Sequence, residues 1–317
     1  MTETPLVAVG GENLVDYVER DGIGVGHAGG SPFNVAMALA RLGAKVEYIS
    51  PISTDDWGEF LADTLADSGV SLTGGRRSEP TTMARVTIRE GIPSYSFERD
   101  DTAERAVTQS SLAKALSKHA RAIHTGSLTL TDGADAATWE AFCAACFNQG
   151  MFVSIDPNVR LSVISDIEGY RARLMRMLDR AHLVKMSDED LEGLFPGLSQ
   201  DAAVEILRER SSAPLIVLTK GREGASAWMG KMTVHTAAQS VGELADTVGA
   251  GDTFMATLLA GLAENGLLAP AGLEALTEEM LATLLRRAAT AAALNCMREG
   301  CDPPTRAELA AAWRQKV

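Results

Sequence analysis

At 317 residues, 46% apolar and only 5% aromatic, the chain is long enough for a sizeable α/β core and too poor in aromatics for an aromatic-rich β-sandwich. A net charge of −13 argues against nucleic acid, which needs clustered Lys and Arg, but leaves room for a small anion in one local pocket. No apolar run approaches the roughly 18 residues of a membrane span, and MTETPLVAVGGENLVDYV has neither the basic start nor the long apolar centre of a signal peptide, so a cytoplasmic protein is expected.

The first predicted element runs from Leu6 to Gly10, where Thr2, Glu3, Thr4 and Pro5 lead into a short apolar stretch typical of a buried parallel strand. Residues 31-SPFNVAMALARLG-43 predict a helix, with Ser31 able to cap, Pro32 suited to the first turn and Gly43 as a stop. Val46 to Ser50 is strand-like, and Trp57, Phe60, Leu61 and Leu65 mark one face of another helix. In 81-TTMARVTIREGIPSYSFERD-100, apolar and polar residues alternate on both sides of Glu90-Gly91, which predicts a β-hairpin with one packed and one wet face. An antiparallel insertion in a doubly wound chain reads as a lid. A second short β element near Tyr17 to Gly24 would make that lid discontinuous, about 12–28 and 81–100.

Past residue 105 the alternation returns, with strands at 121-RAIHTGS-127, 151-MFVSID-156, 181-AHLVKMS-187 and 215-LIVLT-219 separated by helical stretches. Cys143 and Cys146 form a C-x-x-C inside a helix-like run, without a second pair at ligand spacing, so they read as packing thiols. Residues 224–236 predict a hairpin around Gly230, and two helices follow from about 252 and 278. The expected architecture is one α/β unit over 1–317, a mostly parallel sheet flanked by helices, with a small β lid.

The stretch that carries chemistry is 246-DTVGAGDTFMA-256. Amides at a helix start are unpaired and sit at the positive end of the dipole. Gly249, Ala250 and Gly251 would let an anion approach them closely. Asp252, directly after, would stand beside that anion as a base, the pairing that phosphoryl transfer to a hydroxyl needs. The plainer alternative is a Gly-rich turn with Asp252 as a helix cap. Gly24, Gly26 and Gly29 also spell G-x-G-x-x-G, but mostly polar residues precede them where a dinucleotide site needs a buried strand.

These residues resemble a known family. GAGD within 246–254 and 29-GGSPFNVAMALARLG-43 are similar to the paired signatures of the ribokinase-like (PfkB) carbohydrate kinases, and 155-IDPNVR-160, 218-LTKGREG-224 and 300-GCDPPTR-306 extend the likeness. The resemblance implies a ribokinase-like fold and ATP-dependent, magnesium-assisted transfer to a sugar hydroxyl. Among subfamilies, GEN, YSFERD, DPNVR and PPTRAEL look most like bacterial fructokinases, with a 2-keto-3-deoxygluconate kinase or another sugar or nucleoside kinase of the same family as the alternative and a catalytically silent sugar/nucleotide-binding protein as the alternative class. Asp252 is implied as the base, with the amides of Gly249, Ala250 and Gly251 as the anion hole and Arg160 facing the phosphates. Asp16, Gly29, Gly30 and Asn34 would hold the sugar, and Phe97 and Arg99 would touch it from the lid. Ser187, Thr219, Gly221 and Gly224 fall along the nucleotide. Asp246 and the carbonyls of Val248 and Gly300 fall where relatives bind a monovalent cation such as K+. The family's N-x-x-E motif is replaced by Ser187 and Asp190, so Asp190 reads either as a contact to magnesium through water or as half of a capping box. Relatives also imply a homodimer through the lid.

Overall fold

The structure, a computed structural model, describes residues 5–20, 23–89, 92–239 and 242–314. The expected hairpin tip Glu90-Gly91 and the leading Thr2, Glu3 and Thr4 lie outside the described residues. In chain order the strands are β1 (Leu6–Val9), β2 (Leu14–Arg20), β3 (Ile23–Gly29), β4 (Lys45–Tyr48), β5 (Ile52–Ser53), β6 (Ser71–Leu72), β7 (Arg76–Arg77), β8 (Thr82–Arg89), β9 (Ile92–Glu98), β10 (Ala120–Gly126), β11 (Phe152–Asp156), β12 (Leu183–Ser187), β13 (Leu215–Thr219), β14 (Ala225–Met229) and β15 (Met232–Thr236). The helices are α1 (Ser31–Arg41), α2 (Asp56–Asp67), α3 (Gln109–Ala115), α4 (Gly133–Asn148), α5 (Ile167–Leu178), α6 (Asp188–Leu194), α7 (Gln200–Arg210), α8 (Ala250–Glu264), α9 (Glu278–Asn295) and α10 (Arg306–Arg314).

Nine strands form one sheet in the order β15-β14-β13-β12-β11-β10-β1-β4-β6, parallel from β6 to β13 and antiparallel only at β14 and β15. Its strands are apolar on both faces because helices cover both. Val7, Val9, Phe152, Leu183 and Val217 pack with α1, α8 and α9, while Ala8, Val153, Ile155, Val184 and Ile216 pack with α4, α5 and α7. Cys143 and Cys146 are free, buried thiols in the second of these cores, as expected of packing residues. The strand order reverses around β1, whose neighbours are β10 and β4. Ligand crevices in open α/β sheets lie at such points, outside the carboxyl ends of the strands.

A second sheet of four strands, β3-β2-β8-β9, is built from the two stretches read as lid. Asp16 stands opposite His27 on β3 and opposite Ala84 on β8. Tyr17 meets Trp57 of α2 edge-on at 6.1 Å, which ties the small sheet to that helix. The glycines of the G-x-G-x-x-G run lie on β3, not at a strand-to-helix turn. A Cβ on Gly24 would collide with the Tyr17 hydroxyl at 1.7 Å, and one on Gly26 with the Trp57 ring at 2.5 Å. Aromatic packing accounts for those glycines.

One local expectation differs from the structure, and three short strands had none. Ser31 does not cap α1; Gly30 is the N-cap residue, and Ser31 is the first helical residue. A two-stranded piece, β5 with β7, and the edge strand β6 are too short to leave a pattern in the sequence.

Candidate active site

The carboxyl ends of β1, β11, β12 and β13, the N-termini of α1 and α8 and the open face of the small sheet enclose the candidate site. Gly249 caps α8 with φ 74°, the left-handed conformation that glycine adopts without strain. Its Cα lies against Cys301, whose Sγ would be 2.2 Å from an added Cβ. This turn points the first amides of α8 outward. The amides of Gly249 and Gly251 have no acceptor among the described residues. The amide of Ala250 differs from expectation: it turns back to the Thr247 carbonyl at 3.2 Å, because the tight turn into the helix brings that oxygen within reach.

Asp252 lies in the first turn of α8 but does not cap it. Its carboxylate is directed across to α1, where Ser31 Oγ donates to Oδ1 at 2.6 Å and Asn34 Nδ2 donates to Oδ2 at 2.8 Å. Burial raises the pKa of Asp252, and those two hydrogen bonds, with Lys185 and Arg160, lower it. Asp16 is close enough to feel the charge of Asp252, and burial pushes it up to about 6, with His27 and Arg160 opposing. Asn34 Oδ1 is buried without a partner, an acceptor left open at the site. Gly29 packs on Asp16, with room for no side chain: an added Cβ would meet Asp16 Oδ2 at 2.4 Å.

Two residues absent from the sequence reading of the site complete it. Lys185 Nζ donates to Asp156 Oδ2 at 2.8 Å, with side chains only 5% and 1% exposed. A Cβ on Gly251 would lie 2.9 Å from that ammonium nitrogen, so a buried cation stands against the first turn of α8. Burial alone would lower the pKa of Lys185, but Asp156, Asp190 and Asp252 raise it, and it stays charged. The signal was available in 183-LVKMS-187: a lysine in the middle of a buried strand needs a charged partner.

Other expected residues fall into four groups. Arg160 is exposed, gives one N–H to the Val159 carbonyl at 3.1 Å, and lies within electrostatic reach of Asp16 and Asp252. Asp246 joins two loops by accepting from Val248 N at 3.1 Å and Gly300 N at 2.9 Å, while the Val248 carbonyl accepts from Asn295 at 2.7 Å. Thr219 ends β13, and Gly221 and Gly224 follow it with positive φ in the turn toward β14. Phe97 is 42% exposed on β9.

Ser187 and Asp190 form the capping box of α6: Ser187 Oγ accepts from Asp190 N at 3.0 Å, and Asp190 Oδ2 accepts from Ser187 N at 2.7 Å. Asp190 Oδ1 takes the Val159 amide at 2.6 Å, so this carboxylate fixes the loop that carries Arg160. The capping alternative is the one formed. Arg99 is also held by partners within the chain. It is buried, with Nε donating to Glu104 at 2.8 Å and Nη2 to Asp135 at 3.4 Å, because those buried acids demand a cation. Its guanidinium does not present a free fork to a ligand.

Two unbonded amides at a helix start, a buried carboxylate beside them and a buried cation close by suit the movement of an anionic group onto a hydroxyl. The class this crevice defines is a phosphotransferase with an alcohol acceptor. Residues 14–308 match the pfkB family carbohydrate kinases, and the chain belongs to that family. It is an ATP-dependent sugar kinase. A curated fructokinase from Rhizobium leguminosarum bv. trifolii is 36% identical over 281 residues, 86% of this chain and 84% of that protein. A fructokinase with bound ATP from Xylella fastidiosa is 26% identical and superimposes with a TM-score of 0.90 over 99% of both chains. A fructokinase double mutant from Vibrio cholerae O395, in fructose, ADP and potassium ion bound form, shares the fold with a TM-score of 0.81 over 98% of each chain at 24% identity.

Proposed function

We propose that this kinase phosphorylates fructose. The observation that carries the reading is Asp252, a buried carboxylate in the first turn of a helix beside the unbonded amides of Gly249 and Gly251, within electrostatic reach of Asp16 and Arg160. The identity to a curated fructokinase supports the choice of sugar. Asp16, Gly29, Gly30 and the open Oδ1 of Asn34 hold the acceptor. Asp252 accepts the proton of a primary hydroxyl. The hydroxyl oxygen forms its bond to the γ-phosphorus as the bond to the β-phosphate oxygen breaks, and that electron pair leaves with ADP. The amides of Gly249 and Gly251, the Lys185 ammonium and Arg160 stabilise the charge that develops, in a site where burial strengthens each interaction.

ATP lies along Thr219, Gly221 and Gly224, with Ser187 nearby. Among the described residues, no group of three or more His, Cys, Asp or Glu side chains could hold a metal, which fits a magnesium ion carried mainly by the phosphates and water. Asp156 Oδ1, buried without a partner, and the remaining lone pairs of Asp190 are the carboxylate acceptors for those waters. The paired loops at Asp246, Val248 and Gly300 suit a potassium ion, whose charge would reinforce the anion hole. The small sheet closes as a lid that keeps water from the γ-phosphate. Val25 and Phe97, both exposed on it, give two copies an apolar surface to share, and a cytoplasmic homodimer is the assembly proposed. Among the described residues, no helix is long and apolar enough to cross a membrane.

The test is ADP release from ATP and magnesium against fructose, ribose and 2-keto-3-deoxygluconate. Fructose should give the highest kcat/KM. A preference for the keto acid would overturn the substrate assignment, and Arg99, already paired, weighs against it.

A further inference from the structure

Ser31 opens α1 without capping it. Its backbone N–H donates to Glu12 Oε1 at 3.1 Å, and Glu12 is pinned from the other side by Thr129, whose hydroxyl donates to Oε2 at 2.8 Å. Glu12 is 1% exposed and follows β1, while Thr129 follows β10, so the two bridge the point where the strand order reverses. With a buried carboxylate satisfying the first amide of α1, the Ser31 hydroxyl has no capping duty. It donates instead to Asp252 Oδ1 at 2.6 Å, across 221 positions of sequence.

We propose that Ser31 is a positioning residue for phosphoryl transfer: its hydroxyl aims the Asp252 carboxylate and favours its ionised form. The inference rests on the reading of Asp252 as the base. Ser31 is buried and its backbone is fixed through Glu12, so its hydroxyl is a preset donor. Together with Asn34, one helical turn along, it holds both oxygens of the base and fixes the carboxylate plane. Hydrogen bonds to the charged form favour that form. Burial raises the pKa of Asp252, and the Ser31 bond leads the influences that lower it, ahead of Asn34, Lys185 and Arg160. The other titratable groups that sense Asp252 are Asp16 of β2, Asp156 of β11 and Cys301 of the C-terminal loop. Removing the Ser31 hydroxyl leaves all of these in place and takes away only the donor.

The experiment compares Ser31→Ala, Asp252→Asn and the double variant with the parent enzyme, using fructose and ATP-magnesium from pH 5 to 9. Ser31→Ala is expected to lower kcat about tenfold at neutral pH, a modest part of a general base's contribution. Both KM values should stay within about twofold, and the acid limb of kcat should move to higher pH by about one unit, since the ionised base has lost a donor. In the Asp252→Asn background, Ser31→Ala should cause no further loss, because it acts through the missing carboxylate. Ser31→Thr, which keeps the hydroxyl, should restore part of the rate. An unmoved acid limb, an additive loss in the double variant, or an effect confined to the fructose KM would overturn the proposal. Near-parent turnover in Asp252→Asn would instead remove the base itself. Should Ser31→Ala fail to fold, Ser31→Cys, with a weak donor in similar volume, carries the same outcomes.

Discussion

Lys185 Nζ and Asp156 Oδ2 form a buried ion pair 2.8 Å long directly beneath the first turn of α8. Burial raises the pKa of Asp156, and the ammonium beside it opposes that shift. Lys185→Met should strand that carboxylate and lower stability by about 3–5 kcal/mol. The double change Lys185→Met with Asp156→Leu should recover much of the stability in urea unfolding, while kcat/KM for ATP stays at least about tenfold down. Full recovery of activity in the double variant would make the pair structural only.

On the proposed mechanism, Asp252→Asn preserves the shape of the site and removes its proton acceptor. Turnover should fall by roughly 10²-fold or more while fructose and ATP still bind, as expected for loss of a general base. Calorimetric titration beside a steady-state assay separates the two quantities.

Asp16 holds its proton to about pH 6 in the folded protein, against 3.8 when unperturbed, chiefly through burial. A folded-state pKa above the unfolded value means that this group's stabilisation is complete below about pH 4 and is lost as pH rises through about 6. Asp16→Asn should therefore melt close to the parent near pH 4 and a few degrees above it at pH 8. Its KM for fructose should rise about tenfold or more, since the acceptor-side carboxylate is gone. Parallel melting curves across that range would refute the argument.

Arg99 is committed to Glu104 and Asp135, so Arg99→Ala should act on stability before specificity. A loss of about 3–5 kcal/mol is expected from leaving buried acids without their cation. The ratio of turnover on fructose to that on 2-keto-3-deoxygluconate should change less than twofold. A large change in that ratio would return Arg99 to the substrate.

Gly249→Ala places a Cβ on a left-handed residue and drives it against Cys301 Sγ. Backbone strain of about 1–2 kcal/mol is the minimum cost. kcat should fall steeply because the bare amides turn away. Cys301→Gly removes the collision but not the strain, so it should restore activity only in part.

The site divides by the range of its contacts. The GAG turn and its following aspartate stand out in the chain because small residues and a charge ahead of an apolar helix mark a helix start with exposed backbone, whether for a ligand or a turn. Likewise, the alternation of strands and helices follows from apolar periodicity, and the Ser187–Asp190 box from four consecutive residues. Each of these signals is local, written by the backbone on its own neighbourhood. The partners of side chains are not. Ser31 looked like a cap because a helix start usually uses one, and only the fold brings Glu12 to take that duty and Asp252 to receive the hydroxyl. Arg99 looked like a ligand contact because nothing nearby in sequence announces Asp135 as its partner. The local chain decided where an anion could be gripped. The tertiary structure decided which charges face it, because burial and pairing depend on surfaces that meet only once the sheet is assembled.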